Sequence, residues 1–135
     1  MAVSFEEISV HLAQIPVNQY LQVRLLETGE GCCKVVMPYN PQLTNSWHST
    51  HGGILVVLTD MSFFLAQATL NGIDSSGRVA TAEIKTNFLS SNRGGTLKAE
   101  ARVLKNGKRL VFGEVTVRDF DNTLITHSTL SYLKL

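Results

Sequence analysis

The longest apolar stretch of the chain covers residues 54–70 and has hydrophobic side chains on every face of a helix. A helix that is hydrophobic all round lies inside a protein or a membrane. A membrane-spanning helix tolerates few polar groups, and this stretch contains several of them. They are Thr59, Asp60, Ser62 and Gln67. The pattern therefore predicts the buried helix of a folded domain, beginning at Gly52-Gly53 and ending at Asn71-Gly72.

The chain before this helix predicts a short helix followed by two strands. Ser4 and Glu7 form a capping-box pattern, and apolar residues then recur at helical spacing until Pro16. Two strand-like apolar runs follow at residues 20–26 and 32–37. The polar residues 27–31 between them predict a hairpin turn.

The chain after the helix predicts a polar turn at residues 74–77 and then four strands, at residues 79–89, 97–103, 110–118 and 124–133. Asn106-Gly107 is a strong hairpin signal between the second and third of these strands. Alternation in the first strand places Ile84 on one face and Thr81 on the other, together with Glu83 and Lys85. Strands joined mainly by hairpins predict an antiparallel sheet, so the expected fold class is α+β.

The composition is that of one domain. The chain has 135 residues, 44% hydrophobic residues and a net charge of +1, which predicts a single domain over residues 1–135. This charge balance favours neither nucleic acid nor an anionic membrane as a partner. The N-terminus lacks the apolar core of a signal peptide, and the adjacent Cys32 and Cys33 would point to opposite faces of a strand, so we expect unpaired thiols and a cytoplasmic protein.

Asp60 is the only ionisable residue in the apolar stretch, and a buried carboxylate without partners is costly. Gly52 and Gly53 leave room for a ligand oxygen to approach the free N–H groups of the first helical turn, although they equally suit close packing of the helix on a sheet. Gly52 and Asp60 would lie roughly 12 Å apart along one helix. If both act on one substrate, the simplest site therefore combines Gly52 of one subunit with Asp60 of another across a two-fold axis.

The motif His51-Gly52-Gly53, with Asp60 nine residues after the histidine and Asn45 fifteen residues before the aspartate, resembles the hotdog-fold acyl-CoA thioesterases of the phenylacetate-degradation type. The order of the predicted strands fits the same family. The resemblance implies a hotdog fold, in which one antiparallel sheet wraps around a long central helix. It also implies a homodimer formed by joining two sheets edge to edge, and a tetramer built from such dimers.

The resemblance also implies roles in hydrolysis of an acyl- or aryl-acyl-CoA. The Gly52 N–H would polarise the thioester carbonyl, and Asp60 would act as the nucleophile or as the base that activates water. Asn45 would hold the carbonyl or the water, and Thr81 would lie near that water. A non-catalytic acyl-CoA-binding or sensing protein on the same fold is the alternative.

Contacts with the rest of the substrate are expected from residues near the helix start and from two polar turns. His51 would shape the loop, and Ser90, Arg93, Lys108 and Arg109 could meet the phosphates of CoA. The full expected set is His51, Gly53, Asn87, Phe88, Ser90, Arg93, Lys108 and Arg109. Two departures from the family concern this region: His48 stands beside Trp47 where relatives commonly have glycine, and no Arg-Pro follows Phe88.

Two other kinds of chemistry are poorly supported by the sequence. His48 and His51 offer two imidazoles without nearby cysteine or carboxylate ligands, so no metal site is predicted. No G-x-S-x-G motif is present, and the chain is short for a serine-hydrolase fold. We therefore expect an enzyme without a cofactor.

Overall fold

A computed structural model describes residues 3–74 and 77–135 of the chain. The first helix, α1, is Phe5–Gln14, and it begins as the capping-box pattern predicts. The Glu7 N–H donates to the Ser4 hydroxyl at 3.2 Å, and the Glu7 carboxylate accepts from the Ser4 N–H at 3.5 Å. Ile8 and Leu12 on one face of α1 are buried.

The predicted strand at residues 20–26 is wrong at its start. Asn18–Leu21 forms a short helix, α2, and Gln22 then takes a left-handed conformation with φ 58° before the strand begins. The Asn18 side chain causes this turn, because its amide donates to the carbonyls of Leu12 and Val23 and its oxygen accepts from the Val23 N–H at 2.7 Å. Local hydrogen bonds of this kind override strand propensity.

The remaining chain forms one six-stranded sheet and one long helix. The strands are β1 (Arg24–Gly29), β2 (Cys32–Met37), β3 (Val79–Phe88), β4 (Leu97–Asn106), β5 (Leu110–Asp119) and β6 (Leu124–Lys134). All neighbours pair antiparallel, in the order β1-β2-β4-β5-β6-β3. The predicted α+β class and antiparallel sheet are confirmed. The β1–β2 turn is shorter than predicted, because pairing continues through Thr28 and Gly29 and leaves only Glu30 and Gly31 to connect the strands.

The central helix α3 is Gly52–Asn71, with the bounds that the sequence predicts, and Gly72 caps its end at φ 91°. The sheet wraps around it. Phe63 on α3 packs edge-on against Tyr132 of β6, with ring centroids 4.8 Å apart. A side chain at Gly113 of β5 would collide with the Phe63 ring, so this glycine lets the helix approach the sheet closely.

Length and composition alone would allow α3 to cross a membrane, with a mean hydropathy of 1.6 over its most apolar window. In the fold, 61% of that window is buried against the rest of the protein. The core helix of a folded domain has this character. The predicted turn at residues 74–77 lies partly outside the described residues, because Ser75 and Ser76 are not described.

A bulge in the edge strand β3 changes which way its first residues face. Thr81 pairs with Tyr132, whereas Glu83 pairs with Ser131, so Ala82 is an extra residue on β3. The bulge puts Thr81 on the inner face of the sheet together with Ile84. The prediction that Thr81 shares a face with Glu83 and Lys85 is therefore wrong. Simple alternation fails because one extra residue inverts the pattern on one side of the bulge.

Candidate active site

The Asp60 carboxylate, in the middle of α3, is held on one side by two hydroxyl groups of the sheet. Thr81 Oγ1 donates to Asp60 Oδ1 at 2.9 Å, and the Tyr132 hydroxyl donates to the same oxygen at 2.6 Å. The Tyr132 oxygen also lies 2.6 Å from the main-chain carbonyl oxygen of Asp60. Among the described residues, nothing donates to Oδ2. The carboxylate therefore has one oxygen fixed in position and one oxygen available to a ligand.

Tyr132 is a member of this cluster that we did not predict from sequence. Its side chain is only 2% exposed. Burial, and then the adjacent Asp60 carboxylate, raise the pKa of the Tyr132 phenol, so the phenol stays protonated and acts as a donor. The sequence gives only a weak signal for this contact. Alternation places Tyr132 on the inner face of a strand, where its hydroxyl needs a hydrogen-bond partner, but the pattern does not identify that partner.

A cavity of about 350 Å³ opens beside Asp60, between α1, α3, β3 and β6. Apart from Asp60, Thr81 and the Tyr132 hydroxyl, most of its walls are apolar. The other lining residues are His11, Ile15, Val17, Val57, Met61, Phe64 and Val79. The His11 ring lies on the Phe64 ring, with centroids 5.7 Å apart. Such a wall suits an apolar group placed next to a single reactive carboxylate.

The start of α3 has one unpaired N–H group. The His51 N–H donates to the Leu43 carbonyl at 2.9 Å, and the Ile54 N–H donates to the His51 carbonyl at 2.9 Å. His51 is the N-cap, and its Nδ1 accepts from the Gly53 N–H at 2.9 Å. Of the first four N–H groups of the helix, only that of Gly52 then lacks an acceptor within the described parts of the chain. This group is available to donate to an oxygen atom of a ligand.

His51 therefore has a measurable structural role at this helix start. We expect His51→Ala to lower the free energy of unfolding by about 0.5–2 kcal/mol, because the Gly53 N–H loses its acceptor. Urea unfolding followed by circular dichroism measures this loss. His51→Asn is the matched control, since asparagine is a good N-cap residue and should recover most of the stability. Equal stability of the two variants would contradict the capping role.

Both glycines of the motif are also closely packed against a neighbouring side chain. A Cβ atom at Gly52 would lie 3.3 Å from the Phe88 ring, and one at Gly53 would lie 3.1 Å from His51 Nδ1. Close packing and an available N–H group are therefore compatible at Gly52. The Phe88 ring, on the inner face at the end of β3, lies next to the start of α3, whereas Thr81 near the start of β3 contacts Asp60 in the middle of the helix.

Asn45 lies in the loop that leads into α3. Its side-chain oxygen accepts from the Trp47 N–H at 2.9 Å, the Ser49 N–H at 3.2 Å and the Ser49 hydroxyl at 3.1 Å. A bridge between Thr44 and Thr50 brings this loop to the helix start. The Asn45 oxygen is thus used by the turn, whereas its NH₂ group has no acceptor among the described residues and can serve a ligand.

The expected phosphate-binding residues lie at opposite ends of the protomer. The loop containing Ser90 and Arg93 is next to the helix start, because the Thr50 N–H donates to the Asn92 carbonyl at 2.8 Å. Lys108 and Arg109 form the tip of the β4–β5 hairpin, beside the C-terminal end of α3. Since α3 is about 30 Å long, these groups cannot meet one phosphate within a single protomer.

Asn87 lies on the outer face of the sheet, in register with His127 of β6. Its neighbour Phe88 points to the inner face, so the strand separates the two side chains. Around His127, the side chain of Glu114 bridges His127 at 3.1 Å and Arg102 at 3.1 Å, and these two partners lower the pKa of Glu114. No group of three or more metal-ligating side chains occurs in residues 3–74 and 77–135.

Comparison with known proteins assigns the chain to a family. The sequence profile described as Thioesterase superfamily matches residues 48–126. The chain belongs to the thioesterase superfamily. The matched region includes Gly52, Asp60, Thr81 and Phe88 but neither Asn45 nor Tyr132.

Individual members of the thioesterase superfamily and related proteins agree with this assignment. An inferred esterase of Saccharolobus solfataricus is 31% identical over 78% of this chain and 74% of its own length. A thioesterase family protein of Silicibacter pomeroyi is 26% identical, covers 95% of both chains and superposes with a TM-score of 0.84. The PaaI protein of the E. coli phenylacetic acid degradation operon covers 98% of this chain and 96% of its own, with a TM-score of 0.82 at 21% identity, and shows the fold alone.

These comparisons establish the hotdog fold, with its antiparallel sheet around one central helix. Membership of the thioesterase superfamily, together with the esterase relatives, supports a hydrolase that acts on thioesters.

Proposed function

We propose that this protein hydrolyses acyl-CoA thioesters to the free acid and CoA, in a site shared by two subunits. One observation carries the proposal: the Asp60 carboxylate, whose Oδ2 accepts no hydrogen bond from the described residues, lines an apolar cavity in a fold whose family cleaves thioesters. The unpaired Gly52 N–H supplies the second chemical element, a donor for an oxygen that becomes negatively charged during the reaction.

The reaction needs a polarised carbonyl and a nucleophile. The Gly52 N–H donates to the thioester oxygen, and negative charge on that oxygen grows as the tetrahedral intermediate forms. Asp60 acts in one of two ways. Its Oδ2 either attacks the carbonyl carbon, expels CoA and leaves a mixed anhydride for water to cleave, or takes a proton from a water that attacks directly. The Asn45 NH₂ and the Thr81 hydroxyl are the groups that can orient such a water.

The cavity beside Asp60 would receive the acyl group. Its apolar walls include Ile15 and Val17, which follow α1, and Val57, Met61 and Phe64 of α3. Transfer of an alkyl or aryl group from water into these surroundings is favourable by about 25 cal/mol per Å² of apolar surface. Its volume of about 350 Å³ exceeds that of an aryl ring. Aryl-acyl substrates of the phenylacetate-degradation type therefore belong among the candidates, beside alkyl ones.

The edge strand β3 is the basis for placing two subunits around each site. It is ten residues long, and its free edge presents unpaired backbone groups that a second strand would satisfy. An antiparallel β3–β3 pair related by a two-fold axis would join two sheets into one. We propose this homodimer as the active unit, with pairs of dimers forming a tetramer.

The positions along β3 specify how the halves of the site would meet. Thr81 contacts Asp60, and Phe88 lies against Gly52, seven residues further along the strand. With the two-fold axis between Ile84 and Lys85, Thr81 of one copy would pair with Phe88 of the other. Asp60 would then face Gly52 of the second copy, although the two groups lie roughly 12 Å apart along their own helix.

The same pairing would bring the basic turns together. The start of β3, beside Arg109, would approach the loop after β3 in the second copy, which contains Ser90 and Arg93. Arginine and lysine are the usual ligands of phosphate oxygens. Lys108, Arg109 and Arg93 of the second copy are therefore the proposed contacts of the CoA phosphates. The unpaired thiols of Cys32 and Cys33 fit the cytoplasmic location that we also propose.

A thiol-release assay over a panel of acyl-CoAs tests the proposed function. The panel should compare short, medium and long alkyl-CoAs with benzoyl- and phenylacetyl-CoA, and a thiol reagent should report free CoA. We expect turnover to be highest for acyl groups that fill the cavity. It should be negligible for CoA monoesters of dicarboxylic acids, because their second, charged carboxylate would have to be buried. Tight binding of acyl-CoA without turnover across the panel would instead support the non-catalytic alternative.

A further inference from the structure

We infer that Tyr132 is a positioning residue that holds Oδ1 of Asp60, so that Oδ2 alone is presented to the substrate. The inference rests on the proposed function. Tyr132 lies outside the region that defines the family match, and its hydroxyl touches Asp60 at two points, the carboxylate oxygen and the main-chain carbonyl, each at 2.6 Å. This double contact fixes both the side chain and the backbone of Asp60.

The two donors to Oδ1 come from one cross-strand pair. Thr81 of β3 and Tyr132 of β6 are directly opposite each other in the ladder, and the bulge at Ala82 turns Thr81 to the inner face. Because both hydroxyls converge on Oδ1, rotation of the carboxylate would break two hydrogen bonds. The free oxygen is thereby held in one direction beside the cavity, which Asp60 and Tyr132 both line.

The Tyr132 hydroxyl has one proton and two acceptors within reach, so it can change its hydrogen-bond partner when the charge of the Asp60 carboxylate changes. While Asp60 is ionised, the Tyr132 hydroxyl donates to Oδ1, which is the stronger acceptor. When Asp60 gains a proton or an acyl group, Oδ1 becomes a weaker acceptor, and the same hydroxyl can donate to the main-chain carbonyl of Asp60. The buried hydroxyl is therefore never left without a partner. Its proton stays on the phenol oxygen throughout.

Packing alone is the competing explanation for Tyr132, because its ring lies edge-on against Phe63. Tyr132→Phe separates the two roles, since it keeps the ring and removes only the hydroxyl. We expect kcat to fall about ten- to a hundredfold, the usual effect of losing a hydrogen bond to a charged group. KM should change less than about twofold, because the hydroxyl is bonded to Asp60 rather than to the substrate.

The pH profile of kcat/KM distinguishes a positioning role from a packing role, because loss of a packing contact alone would not shift it. A donor to a carboxylate favours its charged form, so removal of the Tyr132 hydroxyl should move the acid limb of the kcat/KM profile to higher pH. Tyr20→Phe is the matched control: the same hydroxyl is removed from a side chain that is 71% exposed, and the profile should not change. In an Asp60→Asn background, Tyr132→Phe should alter residual turnover less than about twofold, because the group that it positions is already gone.

A Tyr132→Phe enzyme with wild-type kcat and an unmoved acid limb, measured beside an inactive Asp60→Asn variant, would overturn this inference and leave the proposed function intact. A wild-type protein that releases no thiol from any acyl-CoA would overturn the proposed function and this inference together. If Tyr132→Phe does not fold, difluorotyrosine at position 132 keeps the ring and supplies a stronger donor. The acid limb should then move to lower pH, and an unmoved limb would again overturn the inference.

Discussion

Asp60→Asn is expected to lower turnover of acyl-CoA by about 10²- to 10⁴-fold, the range for loss of a general base, and by at least as much if Asp60 is the nucleophile. The asparagine oxygen can still accept from Thr81 and Tyr132, whose hydroxyls both bond to Oδ1 in the native protein. The NH₂ group then occupies the place of Oδ2, where it can neither attack a carbonyl nor take a proton. The change is therefore confined to the carboxylate oxygen that Thr81 and Tyr132 leave free.

The measurement is thiol release under saturating acyl-CoA, together with binding of the same acyl-CoA by calorimetry. We expect binding within a few-fold of wild type and an unchanged circular dichroism spectrum. Asp121→Asn is the control for the change in net charge, because Asp121 is exposed in the turn between β5 and β6, far along the sheet from the cavity. Near-normal turnover by purified Asp60→Asn would remove Asp60 from the mechanism.

The second large effect is recovery of activity when two inactive chains are mixed. Gly52→Pro removes the one N–H group of the first turn of α3 that has no acceptor in residues 3–74 and 77–135, and it places there a residue that suits this position. Proline is favoured at the first position of a helix. His51 before it is already extended, at φ −61° and ψ 136°, as a residue preceding proline must be. We expect a 10²- to 10³-fold loss of turnover, typical of removing one oxyanion donor.

Gly52→Ala is the matched control for this variant. It introduces the same Cβ atom, which would lie 3.3 Å from the Phe88 ring, but retains the N–H group. The Phe88 side chain is 54% exposed and can move away. Gly52→Ala should therefore keep most of the activity, and any loss that both variants share measures crowding rather than loss of the donor.

Co-expression of Asp60→Asn and Gly52→Pro chains should then restore about one quarter of wild-type activity. If chains pair randomly, half of the dimers are heterodimers, and the two-fold symmetry gives each of them one intact site and one doubly altered site. The intact site combines Gly52 of the first chain with Asp60 of the second. Distinct affinity tags on the two chains allow heterodimers to be isolated before the assay.

Absence of recovered activity in the heterodimers would contradict the shared site. Tagged heterodimers with no more activity than the single variants would show that Gly52 and Asp60 act within one chain. Activity of separately purified Asp60→Asn would contradict the first prediction instead, so the two hypotheses fail independently. A protein that stays monomeric at assay concentrations and hydrolyses acyl-CoA would also exclude the β3–β3 arrangement.

The central helix, the N-terminal capping box and the antiparallel strands could all be predicted from the sequence. These features depend on neighbours within a few residues, such as Ser4 with Glu7, or on the periodicity of a long apolar stretch. The start of α3 at Gly52 was predictable for the same reason, because glycines, a polar loop and an apolar run meet at one point. The lone carboxylate of Asp60 in that run was also visible without a structure.

Features that depend on pairing between distant segments could not be predicted in this way. The strand predicted at residues 20–26 was wrong because one side chain, Asn18, bonds to the backbone of Leu12 and Val23 and forms a short helix. Thr81 was placed on the wrong face because a bulge belongs to a pair of strands and leaves no periodic signal in either one. The cavity beside Asp60 likewise needs α1, α3, β3 and β6 together.

The contact between Asp60 and Tyr132 is the clearest case. The two residues are 72 positions apart, and their hydrogen bond exists only because β6 pairs with β3 and both strands curve around α3. Tyr132 is one of the alternating residues of a strand near the end of the chain, and its local sequence does not indicate that it contacts a carboxylate. Local sequence therefore determines where a reactive group can stand on a helix, whereas the register of paired strands determines which of its two oxygens remains free.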